Sequence, residues 1–106
     1  MEEKPSLDYI NQICGGDAHF KKDLIDIFKR EISKEIESYQ LYLKNGNYLK
    51  TSEVVHKLSH KIKILDLKNG FKIAEKYCIQ LKDSNQSLKI DFERILATML
   101  LFIKKA

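Results

Sequence analysis

The stretch VVHKLSHKIKIL, residues 54–65, determines how this chain is interpreted. Its apolar residues recur three and four positions apart, which puts them on one side of an α-helix. At about 100° per residue, His56 lies roughly 140° from the centre of that apolar side. This apolar side comprises Val55, Leu58, Ile62 and Leu65, together with Tyr48 from just before the stretch. The pattern predicts a helix with a buried apolar side and an exposed His56, whose neighbours on the exposed side are Ser52, Ser59, His60 and Lys63.

The segments before this stretch show the same helical spacing between short breaks. A first helix is predicted from Ser6 to about Cys14, and Gly15-Gly16 ends it. Asp17 is predicted to cap a long helix that reaches about Lys44. The apolar side of this long helix comprises Phe20, Leu24, Ile27, Phe28, Ile32, Ile36, Tyr39 and Leu43.

The segments after it complete the helical pattern. Asn47 is predicted to cap the His56 helix, which is expected to end near Asn69-Gly70. The next segment carries Phe71, Ala74, Cys78 and Leu81 on one side, and Asp83-Ser84-Asn85 breaks it. The last helix is predicted from about Ser87 to Lys104, with Leu88, Phe92, Ile95, Leu96, Met99, Phe102 and Ile103 on its apolar side. The tyrosines expected at the edges of the core are Tyr39, Tyr42, Tyr48 and Tyr77.

Short turns between amphipathic helices make neighbouring helices run in opposite directions. The sequence therefore predicts an all-α fold: an antiparallel up-down-up-down four-helix bundle, capped at one end by the short N-terminal helix. At 106 residues the chain is expected to form one domain, residues 1–106. A monomer is expected because the four apolar sides can satisfy one another.

Composition restricts the class of protein. Hydrophobic residues make up 43% of the chain and charged residues 32%, a balance typical of soluble globular proteins. Two cysteines favour reduced thiols and a cytoplasmic location. The longest apolar run, Met99–Ile103, is too short to span a membrane, and the N-terminus lacks the pattern of a signal peptide. The start at Met1 favours a free-standing protein. The net charge is +4, but the lysines are spread over all the helices, which argues against a nucleic-acid partner.

Neutral imidazole is a good nitrogen nucleophile near neutral pH, and its attack on a phosphoryl group gives a phosphohistidine. The sequence has no Gly-rich phosphate loop, so most catalytic groups would have to come from a partner. No acid/base pair, nucleophile elbow or cofactor loop indicates an independent enzyme.

On these residues the chain resembles a histidine-containing phosphotransfer (HPt) domain of bacterial multistep phosphorelays. In that family the second long bundle helix carries the phosphoacceptor histidine, followed two positions later by an apolar residue, as in His56 and Leu58. The resemblance covers the whole chain in helix order and length, and its motif is confined to about residues 54–67.

The resemblance implies a function and partners. His56 would accept a phosphoryl group from the aspartate of a receiver domain and pass it to another, the receiver belonging to a response regulator or a hybrid sensor histidine kinase. The chain itself would bind no cofactor, and Mg²⁺ would be carried by the receiver domain. Residues expected to contact phosphate or the partner are Ser52, Lys57, Ser59, His60 and Lys63. Leu49 and Leu67 are expected to form an apolar rim around that site.

Three positions depart from the family pattern. Ser59 stands where a lysine is usual, His60 where a small residue is frequent, and Asp66 where a glycine is common. Lys57 and Lys63 are candidates to replace the missing charge. The alternative hypothesis is a phosphotransfer-inactive bundle that acts as a protein-interaction scaffold.

His56 and His60 are also four residues apart, the spacing at which two histidines on a helix bind a metal ion. The metalloprotease pattern needs Glu after the first histidine, where this chain has Lys57. A third ligand is not evident, since Glu53 is the only carboxylate within one turn. The sequence therefore favours no metal site.

Overall fold

The computed structural model describes residues 3–106, and this part of the chain is all-helical. Its five helices are α1 (Asp8–Cys14), α2 (Ala18–Lys44), α3 (Tyr48–Ile64), α4 (Lys68–Lys82) and α5 (Lys89–Lys104). Residues 3–106 contain no β-strand, so the prediction of an all-α fold is confirmed for them. The expectation drawn from the start of the chain at Met1 lies outside the described residues. No helix within residues 3–106 is long and apolar enough to cross a membrane.

The helices pack side by side in the order of the chain. Helix α3 contacts α2 on one side and α4 on the other, α4 contacts α5, and α5 returns to α2, while α1 packs on α2. The core between them contains completely buried side chains from every helix: Ile10, Ile32, Tyr39, Val55, Leu58, Ile62, Ala74, Tyr77, Leu81, Phe92 and Met99. Burial of these apolar groups supplies the main driving force for folding.

The predicted N-terminal caps of α2 and α3 are confirmed. The Asp17 side chain accepts a hydrogen bond from the backbone N–H of Phe20 at 3.0 Å. The Asn47 side chain accepts one from the backbone N–H of Lys50 at 3.2 Å. Each satisfies a backbone donor that the first turn of a helix leaves without an intrahelical partner.

The boundary between α3 and α4 differs from the prediction. Helix α3 ends at Ile64, and the turn that follows uses Asp66 at φ 64°, so Asn69-Gly70 lies inside α4 and does not end α3. Gly70 is buried, and a Cβ atom added there would lie 3.2 Å from Cγ2 of Ile62 and 3.3 Å from Cγ2 of Ile95. This glycine permits close packing of three helices, whereas the sequence pattern suggested a turn.

The N-terminus of α4 is capped from a distant part of the chain. Its own N-cap residue, Leu67, makes no side-chain hydrogen bond. The Glu3 carboxylate instead accepts hydrogen bonds from the backbone N–H groups of Asn69 (3.0 Å) and Gly70 (2.7 Å). Nearby, the backbone N–H of Ser6 donates to the carbonyl oxygen of Leu65 at 2.9 Å. The segment before α1 is thereby attached to the α3–α4 turn.

The buried side of α2 is rotated from the predicted one. Phe20 and Ile27 are exposed, and Ile25 is buried instead. At 100° per residue, Phe20 and Ile27 point about 110–130° from the centre of the buried side chains of α2, so they lie outside the contact with neighbouring helices. Along so long a helix, the direction of apolar residues spaced three and four apart changes gradually around the helix axis. Not all of them can therefore face the core.

Tyr39 and Tyr77 lie in the middle of the core, so the prediction that placed them at its edges is wrong for these two residues. Their hydroxyl oxygens are 2.8 Å apart, and the Tyr39 hydroxyl donates to Oε2 of Glu93 at 2.9 Å. Both rings pack against Phe92, at centroid distances of 5.4 and 5.1 Å. Complete burial is possible because each phenol has a hydrogen-bond partner.

Candidate functional site

His56 faces solvent because the opposite side of helix α3 is buried in the core. Val55, Leu58 and Ile62 are all 0% exposed, which fixes the rotation of the helix against its neighbours. His56 and His60 are exposed, as the helical spacing predicted. Because a packed helix carries it, the His56 imidazole is presented to solvent from a fixed backbone.

The two imidazole rings form a pair. Nε2 of His56 lies 3.3 Å from Nε2 of His60, within hydrogen-bond distance, and the rings meet edge to face with centroids 4.7 Å apart. In such a hydrogen bond one Nε2 carries the proton and the other contributes its lone pair. The nitrogen at the outer end of each ring therefore faces the other ring.

Ser52 and Ser59 do not belong to the exposed surface, contrary to the prediction. Each is 1% exposed, and each lies between the core side of α3 and His56, on the edge that faces α4. The Ser59 hydroxyl donates to the carbonyl oxygen of His56, one turn earlier. The Ser52 hydroxyl donates to the carbonyl oxygen of Cys78 at 2.9 Å, and the Cys78 thiol donates to the Ser52 carbonyl at 3.2 Å. The Ser52 hydroxyl therefore joins α3 to α4, whereas the Ser59 hydroxyl bonds within α3. Because both serines are buried, neither offers a surface to a partner.

The predicted apolar rim is only half present. Leu49 is 61% exposed, but Leu67 is 3% exposed and precedes α4. The helical angle that placed Leu67 beside His56 does not apply, because α3 ends at Ile64. Sequence reasoning missed Ile79 of α4, which is 64% exposed. Its position outside the apolar side of that segment was the available signal.

The contacts between α3 and α4 show which residues of the two helices lie at the same height along the helix axes. Ser52 contacts Cys78, and Nζ of Lys63 lies 5.1 Å from the centroid of the Phe71 ring. Counting from the Ser52–Cys78 contact at 1.5 Å per residue, Leu49 and Ile79 lie within about 3 Å of each other along the helix axes. Two exposed apolar side chains therefore stand at one end of the His56 side of the molecule.

The lysines around His56 have different surroundings. Lys57 is exposed, and no ion pair is recorded for it among the described residues, whereas Lys63 packs over the Phe71 ring. Lys61 is mostly buried and bonds the Glu35 carboxylate of α2 at 3.0 Å, with Glu31 at 3.9 Å. Among the described residues, neither Lys57 nor Lys63 is held in an ion pair, so both remain open to an anion.

Residues 3–106 contain no cluster of three or more histidine, cysteine, aspartate or glutamate side chains placed to hold a metal ion.

Comparisons with protein-family models, with curated proteins and with solved structures found no match to this chain.

Proposed function

We propose that this chain is a phosphorelay intermediate of the HPt type, with His56 as the phosphoacceptor. The observation that carries the proposal is the exposure of His56 in the middle of a helix whose opposite side is completely buried. Transfer from a receiver domain would need such a histidine, rigidly held and accessible, because the imidazole nitrogen must reach the phosphorus of the receiver's aspartyl phosphate in a fixed orientation.

The proposal includes the arrangement of the helices. Helices α2 to α5 would form an antiparallel up-down-up-down four-helix bundle, with α1 covering one end. The sequence of contacts α2–α3, α3–α4, α4–α5 and α5–α2 supports this arrangement. Helix α3 is then the second long helix, the position of the acceptor histidine in the family that the sequence resembles.

The chemistry is a transfer of a phosphoryl group between an aspartate and a histidine. The Nε2 lone pair of His56 attacks phosphorus of the receiver's aspartyl phosphate, a P–N bond forms, the P–O bond to the aspartate breaks, and the aspartate leaves as a carboxylate. Return of the group to a second receiver reverses these steps. Lys57 and Lys63 would place positive charge near the phosphoryl oxygens, and the receiver's Mg²⁺ would supply the rest.

One departure from the family pattern has a structural explanation. Asp66 stands where a glycine is common, and its φ of 64° lies in the left-handed region that glycine enters without strain. Aspartate is among the few other residues that adopt this conformation. The departure at this position is therefore compatible with the same turn after the acceptor helix.

Phosphate labelling tests the proposal. Purified protein is incubated with a phosphorylated receiver domain and Mg²⁺, and acid-labile, base-stable phosphate is measured on the chain. The wild type should become labelled, and His56→Gln should abolish labelling without loss of helicity. His19→Gln, an exposed histidine in α2, is the matched control and should be labelled normally. Label that persists on His56→Gln would exclude His56 as the acceptor.

The second candidate is a scaffold with the same fold and no phosphotransfer. The observation that favours it is the 3.3 Å contact between His60 and His56, because a bulky ring then stands against the nitrogen that must attack. His60→Gly discriminates between the two. If label appears only in His60→Gly, the native chain is the scaffold; comparable label in wild type and variant supports the phosphorelay.

A further inference from the structure

The His56–His60 pair has the geometry of a metal chelate. Two imidazole nitrogens bound to one zinc ion at 2.0–2.1 Å and a tetrahedral angle are about 3.3–3.4 Å apart. The two Nε2 atoms are already 3.3 Å apart, on adjacent turns of one helix. Binding therefore leaves the separation of the two nitrogens nearly unchanged, while each ring turns so that its lone pair points at the ion. The backbone that holds both rings is fixed by the buried side of α3.

We propose that His56 and His60 bind a divalent transition-metal ion of the class that prefers imidazole, such as Zn²⁺ or Cu²⁺, through their Nε2 atoms. Both nitrogens contribute lone pairs, so each ring adopts the tautomer with its proton on Nδ1, and the hydrogen bond between the rings is replaced by the ion. Water occupies the remaining coordination positions.

The surroundings of the pair are consistent with a two-residue site. Both rings are exposed, so an ion has direct access and room for water ligands. Glu53, one turn before His56, pairs with Lys50 at 3.7 Å, and both of these side chains are more than half exposed. The absence of a third protein ligand among the described residues makes the site weaker than a structural zinc site and leaves positions free.

The histidine pair is not expected to bind Mg²⁺. Magnesium prefers oxygen ligands in octahedral geometry, whereas imidazole suits Zn²⁺ and Cu²⁺. The Mg²⁺ that a receiver domain requires should therefore not compete for the pair. If His56 is the phosphoacceptor, bound Zn²⁺ removes the lone pair that attacks phosphorus, so the ion inhibits phosphotransfer; this consequence alone rests on the proposed function.

Calorimetric titration of the full chain with ZnCl₂ tests the binding directly, at neutral pH, with excess Mg²⁺ and with the thiols kept reduced. One Zn²⁺ per chain is expected. His56→Gln and His60→Gln should each weaken binding about tenfold or more, because each removes half of the chelate. His19→Gln should bind like the wild type. Absence of binding, or an affinity unchanged in both pair variants, would overturn the proposal.

A spectroscopic measurement identifies the ligands. In NMR spectra of the imidazole protons, the signals of His56 and His60 should shift together during the Zn²⁺ titration, and those of His19 should not. A shift confined to one ring would contradict a shared ion.

The inhibitory consequence is tested separately in the labelling assay. Inhibition of labelling in His60→Gln should need a Zn²⁺ concentration about tenfold or more above that which inhibits the wild type. This comparison also controls for an effect of the ion on the receiver. If no form of the chain is labelled, the proposed function fails while the binding titration still decides the metal site. Equal inhibition of wild type and His60→Gln would contradict the inhibition through the pair.

Discussion

Gly70 shows how a single missing side chain sets the distance between helices. Ile62 of α3 and Ile95 of α5 approach it with Cγ2 methyl groups, and Cβ of Leu67 would be 3.4 Å from an added methyl. The Cγ2 methyl of isoleucine is attached to a branched Cβ, so it cannot move without a change of χ1. A methyl group at position 70 would therefore crowd both isoleucines and require them to shift by a few tenths of an ångström.

We predict that Gly70→Ala destabilises the protein by about 1 kcal/mol. Alanine is favoured over glycine in a helix by about 0.5–1 kcal/mol, but overpacking a core costs about 1–3 kcal/mol. Urea unfolding of variant and wild type measures the difference. Ala97→Gly, at an exposed position of α5, calibrates the helix preference alone. A gain of stability in Gly70→Ala equal to the loss in Ala97→Gly would show that the contacts with the isoleucines are not limiting.

The serines of α3 show that the angle of a residue around the helix axis does not by itself predict its exposure. Ser52 and Ser59 are on the His56 side of the helix by sequence, yet α4 covers both. An angle gives the direction of a side chain from its own helix axis, and it does not show how far a neighbouring helix extends around that axis. The exposure of His56 was predictable because it lies further from the core side than either serine.

The N-terminus of α4 depends on Glu3 for its cap. Its carboxylate accepts two backbone N–H groups and places negative charge at the positive end of the helix dipole. Helix ends that have local caps, such as those of α2 and α3 with Asp17 and Asn47, were predictable from short motifs. The cap of α4 was not predictable, because Glu3 lies more than sixty residues before Asn69 and Gly70 in the chain.

We predict that Glu3→Gln lowers the free energy of unfolding by about 1 kcal/mol, in the range measured for loss of a helix cap. Glutamine keeps one acceptor oxygen but loses the charge and the second acceptor. Chemical unfolding followed by circular dichroism gives the value. Glu37→Gln, an exposed position of α2, is the control for removal of a surface carboxylate and should change stability little. Equal effects of the two substitutions would rule out a specific cap.

The helices themselves were predictable because their apolar spacing is regular, and the errors lie at positions that tertiary contacts decide. Asn69-Gly70 is a frequent turn pair, but packing against Ile62 and Ile95 retains it in α4. The exposed position of Phe20 likewise depends on how α2 is rotated against its neighbours. The pairing of His56 with His60 followed from their spacing, whereas the distance between their Nε2 atoms required the structure.

Three helices meet at one polar network in the core. Tyr39 of α2 bonds Tyr77 of α4 and Glu93 of α5. Burial raises the pKa of Tyr39 strongly, and the bonds to Tyr77 and Glu93 raise it further. Burial also raises the pKa of Tyr77, and the hydrogen bond with Tyr39 partly opposes this. Both phenols therefore stay protonated in the folded protein at pH values where they ionise in the unfolded chain.

This difference predicts a loss of stability in alkali. Below the usual tyrosine pKa of 10.0 both states bind the same protons, so these groups do not change stability with pH. Above it the unfolded chain releases protons that the folded protein retains. Each such tyrosine then lowers the free energy of unfolding by up to about 1.4 kcal/mol per pH unit.

Thermal unfolding between pH 9 and 11 measures this effect. The melting temperature should fall more steeply for the wild type than for Tyr39→Phe, which has one fewer buried phenol. Tyr9→Phe, at an exposed position, should follow the wild type. Tyr39→Phe should also be less stable at pH 7 by about 1–3 kcal/mol, because Tyr77 and Glu93 lose a buried partner. Identical pH profiles for wild type and Tyr39→Phe would contradict the assignment.

The contact between Glu3 and the start of α4 also has a consequence for the order of folding. Residue 3 leaves the ribosome long before residues 69 and 70, so its carboxylate has no partner until the chain up to α4 has been made. Closing a loop of that length has an entropic cost, which favours formation of the contact after the transition state. Loss of Glu3 should then accelerate unfolding and leave the rate of folding nearly unchanged.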